Sequence, residues 1–174
     1  MTDKSEDTRP DQWSDIRVPD SLSLNGNEVV VPYVILRHGA RPPAYQTPGS
    51  AGMDLYALPL GGRPIVIKPG QWELIPTGIG VAIPEGHVGY VCPRSGLALR
   101  DGLTVLNGPG VIDSDFTGEV GVVLVNHSRF EQRVCVGHRV AQLVVAPIRR
   151  ARMTEVPSLE KTSRGTGGFG STGQ

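Results

Sequence analysis

Apolar positions along the chain come in short bursts, and the breaks between them are rich in glycine and proline. Val29 to Leu36 is the first burst. Ser50 to Leu58 follows a loop punctuated by Pro42-Pro43 and Thr47-Pro48-Gly49, and it carries small residues ahead of one acid, Asp54. Ile65 to Ile67 is short and β-branched, and Pro69-Gly70 closes it with a turn. Glu73 to Ile75 and Ile79 to Ile83 alternate loosely up to Pro84-Glu85-Gly86, and Val88 to Cys92 comes next. Strand-like bursts separated every eight to twelve residues or so by turn residues predict an all-β sandwich or jelly roll. The 23 glycines and 15 prolines, with no sustained helical period, point the same way.

The central stretch, Leu103 to Asn126, reads as strand, turn, strand. Leu103, Val105 and Leu106 lead in, Asn107 to Gly110 break the pattern, and Val111-Ile112 resume it. This predicts a hairpin with Asp113 held at its mouth. Asp113 and Asp115 are either ordinary turn aspartates or carboxylates placed for chemistry. The uncharged run Val120 to Val125 predicts a strand buried on both faces. Val134 to Ala146 predicts two strands joined near Gly137-His138, with Gln142 interrupting the apolar run as either a core amide bonded to backbone or a ligand contact.

Pro93 to Arg100 is the one helix candidate, with Ser95 as its cap. Free backbone donors at a helix start beside Arg94 have the composition of an anion site. The last stretch, RGTGGFGSTG at 164–173, cannot build a core. It is either a flexible tail or a lid, in which glycines approach phosphates, Arg164 and hydroxyls bind a terminal phosphate, and Phe169 stacks on a planar base.

Charge and composition narrow the functions. Seventeen basic residues balance 17 acidic ones, which argues against nucleic acid held by bulk charge. No apolar stretch reaches the length of a membrane span, and the polar N-terminus has no hydrophobic signal core. Cys92 and Cys135 lie in apolar runs and read as buried thiols in a reducing compartment, the cytoplasm, rather than as a disulfide. The four histidines lack zinc-ligand spacing. The triplet Asn126-His127-Ser128 matches a glycosylation acceptor by chance. Residues 1–27 are polar and aperiodic and read as a disordered tail; residues 28–160 form the β domain and 161–174 the glycine-rich lid.

Five stretches in order resemble the motifs of the trimeric dUTPases: AGMDLYA at 51–57, PRSGLA at 93–98, NGPGVIDSDFTGEV at 107–120, GHRVAQ at 137–142 and RGTGGFGSTG at 164–173. The resemblance runs from about Val29 to the C-terminus. It implies a distorted β-jelly roll, a homotrimer with active sites at subunit interfaces, and hydrolysis of dUTP to dUMP and pyrophosphate. That reaction limits uracil in DNA and supplies dUMP for thymidylate synthesis. It also implies Mg²⁺ carried by the phosphates, with Asp54 contacting it through water. On the same resemblance, Asp113 is the general base and Arg164 an arginine finger. Arg94, Ser95, Gly96 and Gln142 contact phosphates. Asn107, Gly110, Val111 and Ile112 receive uracil, and Phe116 lies under the deoxyribose. Phe169, Gly170, Ser171 and Thr172 complete the lid.

Two residues depart from the pattern. Phe116 stands where the family usually has Tyr, and His138 replaces a commonly acidic residue, for which a surface effect is expected. The rival readings are a dCTP deaminase or bifunctional relative, and a regulatory binding trimer on the same scaffold. Ser95-Gly96 and the full C-terminal motif favour the dUTPase.

Overall fold

The computed structural model describes residues 28–168 and Ser171. Alternation builds two facing sheets. The first has the strand order β1 (Tyr33–Ile35), β4 (Trp72–Val81), β8 (Glu119–Asn126), β6 (Leu103–Val105). The second has the order β2 (Met53–Tyr56), β10 (Arg139–Pro147), β5 (His87–Cys92), β7 (Gly110–Ile112). A two-stranded ribbon pairs β3 (Ile65–Ile67) with β9 (Gln132–Val134). All the pairings are antiparallel. The core lies between the sheets: Ile75, Ile79, Val122 and Leu124 from the first meet Leu55, Val91, Ile112 and Leu143 from the second. Removing these side chains from water is the main favourable term for the fold.

The expected hairpin is not one. β6 pairs with β8 and β7 pairs with β5, so the chain leaves one sheet after Val105 and enters the other at Gly110. The predicted pair around Gly137-His138 separates in the same way, since β9 joins β3 and β10 lies between β2 and β5. Glu73–Ile75 and most of Ile79–Ile83, expected as separate stretches, lie on a single β4 that ends at Val81 and whose register shifts between Pro76 and Gly80. Gly78 sits in that irregularity at φ 72°. Its N–H donates to Glu119 Oε1 at 2.6 Å, and Arg37 pairs with the same carboxylate.

The run Val120 to Val125 is also only partly buried. Val120, Val122 and Leu124 face the core, whereas Gly121 and Val123 are half-buried. Val123 is paired with Leu74, which is 61 % exposed. Asn126 at the end of β8 is fully buried. Its amide donates to the carbonyls of Ile67 and Phe130 at 2.8 and 2.7 Å, and its oxygen accepts from Ser128 N–H at 2.9 Å. That satisfied core amide is not a glycosylation acceptor. The cysteines are free as expected, but both are half-buried rather than buried.

The one α-helix among the described residues, α1, spans Ser95–Asp101. Ser95 does not cap it: Arg94 occupies the cap position, and no side chain among the described residues makes a capping hydrogen bond. The helix ends at Gly102 in the left-handed region, φ 65°. A Cβ there would meet Ser128 Cβ at 2.8 Å and the Ser128 nitrogen at 2.9 Å. Backbone strain and collision with main chain add, so Gly102→Ala is expected to cost roughly 2–3 kcal/mol and to lower the thermal midpoint by several degrees. An unchanged melting curve would show that the loop beyond α1 yields without cost.

Candidate functional site

Two cavities collect most of the residues singled out in the sequence. The larger, about 420 Å³, is lined by Asp54 from β2, Arg94, Ser95 and Gly96 at the start of α1, and Arg139 and Gln142 from β10. Its wall forms because β10 runs between β2 and β5, which sets Gln142 opposite both Asp54 and Cys92. Gln142 lies flat over Gly52, where a Cβ would stand 2.6 Å from its Oε1. Its amide nitrogen donates to the Pro93 carbonyl at 3.0 Å. The residue is thus bonded to backbone, as the first reading expected, and it also lines the cavity.

Asp54 is the buried charge of the site, 5 % exposed. Its Oδ1 forms an ion pair with Arg94 Nε at 2.8 Å, and its Oδ2 accepts from Arg139 Nη1 at 3.2 Å. A carboxylate between two guanidinium groups leaves the cluster net positive, which suits an anion in the cavity. Arg139 was not anticipated as a site residue. The signal was Asp54 itself: an acid inside the apolar stretch GMDLYAL needs a cation when buried, and the matching motif supplies Arg139.

The smaller cavity, about 140 Å³, is lined by Asn107, Gly110, Val111, Ile112 and Phe116 together with Val91 and Glu119. The turn that crosses between the sheets shapes it. Gly110 is required by close approach, since a Cβ there would meet Asn107 Nδ2 at 3.2 Å and Val91 Cβ at 3.3 Å. Phe116 is 42 % exposed, and its ring lies against Gly118. The two cavities share no lining residue within one chain.

Asp113 directly follows β7 and is exposed. Its carbonyl accepts from Phe116 N–H at 3.2 Å, which fixes the turn and leaves the carboxylate facing solvent rather than inside either cavity. Arg164 is exposed too, and its Nε donates to the Gly167 carbonyl at 2.9 Å, within its own segment. The described part of the C-terminal motif forms turns, with Gly167 N–H on Arg164 O and Ser171 N–H on Gly168 O. Phe169, Gly170 and Thr172 lie outside the described residues, as does the tail 1–27. His138 is exposed as expected, and its Nδ1 accepts from Cys135 N–H at 3.3 Å.

Comparison with known proteins gives these positions a context. A family model described as dUTPase matches residues 39–173. The deoxyuridine 5'-triphosphate nucleotidohydrolase of Methylocella silvestris is 51% identical over 140 residues, covering 79% of this chain and 88% of its own. That of Syntrophotalea carbinolica is 52% identical over 131 residues, 75% of this chain and 88% of its own. Among solved structures, a Staphylococcus bacteriophage 80alpha dUTPase with dUPNHPP superposes with a TM-score of 0.75 at 26% identity, covering 83% of this chain and 99% of that one.

Proposed function

The chain belongs to the dUTPase family and hydrolyses dUTP to dUMP and pyrophosphate, and we propose that it does so in sites assembled between neighbouring copies of a homotrimer. The observation that carries this reading is the division of the site residues. Those suited to phosphates line one cavity, those suited to a nucleoside line another, and the two are separate within one chain. A single substrate can use both sets if the cavities of two copies face each other. The half-exposed face around Leu74 and Val123 supplies apolar surface for such a contact.

In this arrangement Asp113 is the general base. It accepts the proton of the water that attacks the α-phosphorus in line. Arg94, with the Ser95 and Gly96 backbone donors and the Gln142 side chain, holds the phosphates. The main chain from Gly110 to Ile112, with Asn107, receives the uracil edge, and the narrow turn leaves no room for a thymine methyl. Residues 161–174 act as the lid: Phe169 covers the base, Gly170, Ser171 and Thr172 contact the terminal phosphate, and Arg164 stabilises charge that develops during transfer.

Magnesium is the cofactor the family implies. Among the described residues no three His, Cys, Asp or Glu side chains group as metal ligands, and both Asp54 oxygens are already paired with arginines. That donor set fits a hard cation carried in by the phosphates, with Asp54 reaching it through water, because each carboxylate oxygen retains a second lone pair. When bound, magnesium neutralises phosphate charge and fixes the geometry of the triphosphate.

No helix among the described residues is long and apolar enough to cross a membrane. The two free thiols fit the cytoplasm. Relatives about half identical that are named nucleotidohydrolases do not favour a deaminase or a purely regulatory trimer. Pyrophosphate release measured across dUTP, UTP, dCTP and dTTP tests the whole reading. Release from dUTP alone is expected; ammonia from dCTP would overturn it.

Phe116 carries a further expectation. Its ring borders the nucleoside cavity but offers no hydroxyl, so exclusion of a 2′-hydroxyl is steric. Phe116→Ala is expected to lower the ratio of kcat/KM for dUTP over UTP several-fold. An unchanged ratio would place sugar discrimination elsewhere.

A further inference from the structure

Arg139 stands in the phosphate cavity without a part in the reading above, yet it organises the residues that have one. Its side chain donates from Nη1 to Asp54 Oδ2 at 3.2 Å, and its main-chain oxygen accepts from Arg94 Nη1 at 3.1 Å. Asp54 completes the loop through its ion pair with Arg94, Oδ1 to Nε at 2.8 Å. Two of the three guanidinium nitrogens of Arg94 are thereby fixed, by a buried carboxylate and by a strand carbonyl. A planar group held at two points has its plane fixed, and Nη2 remains for an anion. Arg139 is held in turn: Gln46 Oε1 accepts from its Nη1 at 3.1 Å, and Gln46 Nε2 donates to Tyr56 Oη at 3.1 Å and to Ala44 O at 3.2 Å. The register of β10 shifts between Arg139 and Ala141, in the stretch that sets the Arg139 carbonyl against Arg94.

We propose that Arg139 is a positioning residue for triphosphate binding: through Asp54 and its own carbonyl it holds the Arg94 guanidinium in the orientation that receives the phosphate chain. The inference rests on the reading of Arg94 as a phosphate contact. An arginine left to swing loses rotamer freedom only when the substrate arrives, so its contact is weaker by that loss. With Asp54 neutralising one of the two guanidinium groups, the cavity also avoids a repulsive pair of unscreened cations beside Gln142.

The relay differs from two simpler roles. If Arg139 touched phosphate itself, its loss would add to the loss of Arg94. If it only braced β10, its loss would lower stability and leave binding intact. The test is a double-mutant cycle of Arg139→Gln with Arg94→Ala in the full-length chain. It is read by steady-state kinetics with dUTP, by binding of dUMP and of an imido analogue of dUTP, and by the thermal midpoint. Arg139→Gln alone is expected to raise KM and the Kd of the analogue about tenfold, with kcat and the Kd of dUMP changed less than about twofold. Arg139→Lys keeps the charge but cannot present the same fork, and it should recover only part of the loss. In the Arg94→Ala background Arg139→Gln should change KM less than about twofold.

Multiplying effects in the double variant would overturn the relay in favour of direct contact. A lowered thermal midpoint with KM unchanged would overturn it in favour of bracing. If Arg139→Gln does not fold, the exposed Gln46→Ala loosens Arg139 from outside and should raise KM two- to threefold, only where Arg94 is present. An equal rise without Arg94, or none at all, overturns the relay. Should Arg94→Ala itself leave KM unchanged, the phosphate reading of Arg94 fails, which is a separate outcome.

Discussion

Asp113→Asn is expected to reduce turnover of dUTP by about 10²–10⁴-fold, or more if the carboxylate also places the water, while substrate binding and thermal stability stay near wild type. The separation of effects follows from the position of the residue. Asp113 is exposed just beyond β7, and the turn beside it is fixed by its main-chain oxygen rather than by its side chain. An amide keeps that bond and the shape of the side chain. What it removes is a proton acceptor just beyond a strand whose last residue, Ile112, is buried in the core. Single-turnover pyrophosphate release, with binding of an imido dUTP analogue as control, separates chemistry from affinity. Near-normal turnover would remove Asp113 from the mechanism and leave it an ordinary turn aspartate.

Strand positions were legible because burial follows local alternation. Ile65–Ile67 is a strand with the expected bounds, and Val88 to Cys92 lies within β5. Strand partners were not legible. Val105 and Gly110 are five residues apart and end in different sheets, and Val134 and Arg139 do the same. A turn signal marks where a strand stops, and nothing local in Asn107-Gly108-Pro109 says whether the next strand folds back or crosses over. The helix start illustrates the same limit at smaller scale. Ser95 has the chemistry of a cap, but the helical geometry begins one residue earlier than that role requires, so Arg94 takes the position.

Within the site, the motif residues on β2, β10 and at the start of α1 line one cavity, and those on and beside β7 line the other. Arg139 was missed because its importance lies in what Asp54 needs rather than in any pattern around Arg139. The division into two cavities could not be read at all. It depends on β10 and β7 flanking β5 on opposite sides, a fact of sheet order.

That division leads to the prediction on assembly. Two inactive chains, Asp113→Asn and a chain ending before Arg164, are expected to regain about a quarter of wild-type activity when refolded together in equal amounts. Within one chain, Arg164 donates to Gly167 in its own segment, and neither Arg164 nor Asp113 lines either cavity. A site whose Asp113 and Arg164 come from different copies works when its Asp113 donor is the truncated chain and its lid donor is the Asn chain. With random mixing each condition holds for about half of the sites, and the product is about a quarter. Each protein alone should retain no more than about one percent of wild-type activity, given the size of general-base and arginine-finger effects, so recovery would exceed the background at least about twentyfold. If both groups came from the same chain, every site in the mixture would lack one of them. Activity that stays at the level of the separate variants, with trimers confirmed by light scattering, would overturn the shared site. Mixing the preformed oligomers without refolding provides the control: recovery that appears only after refolding ties the activity to exchange of chains.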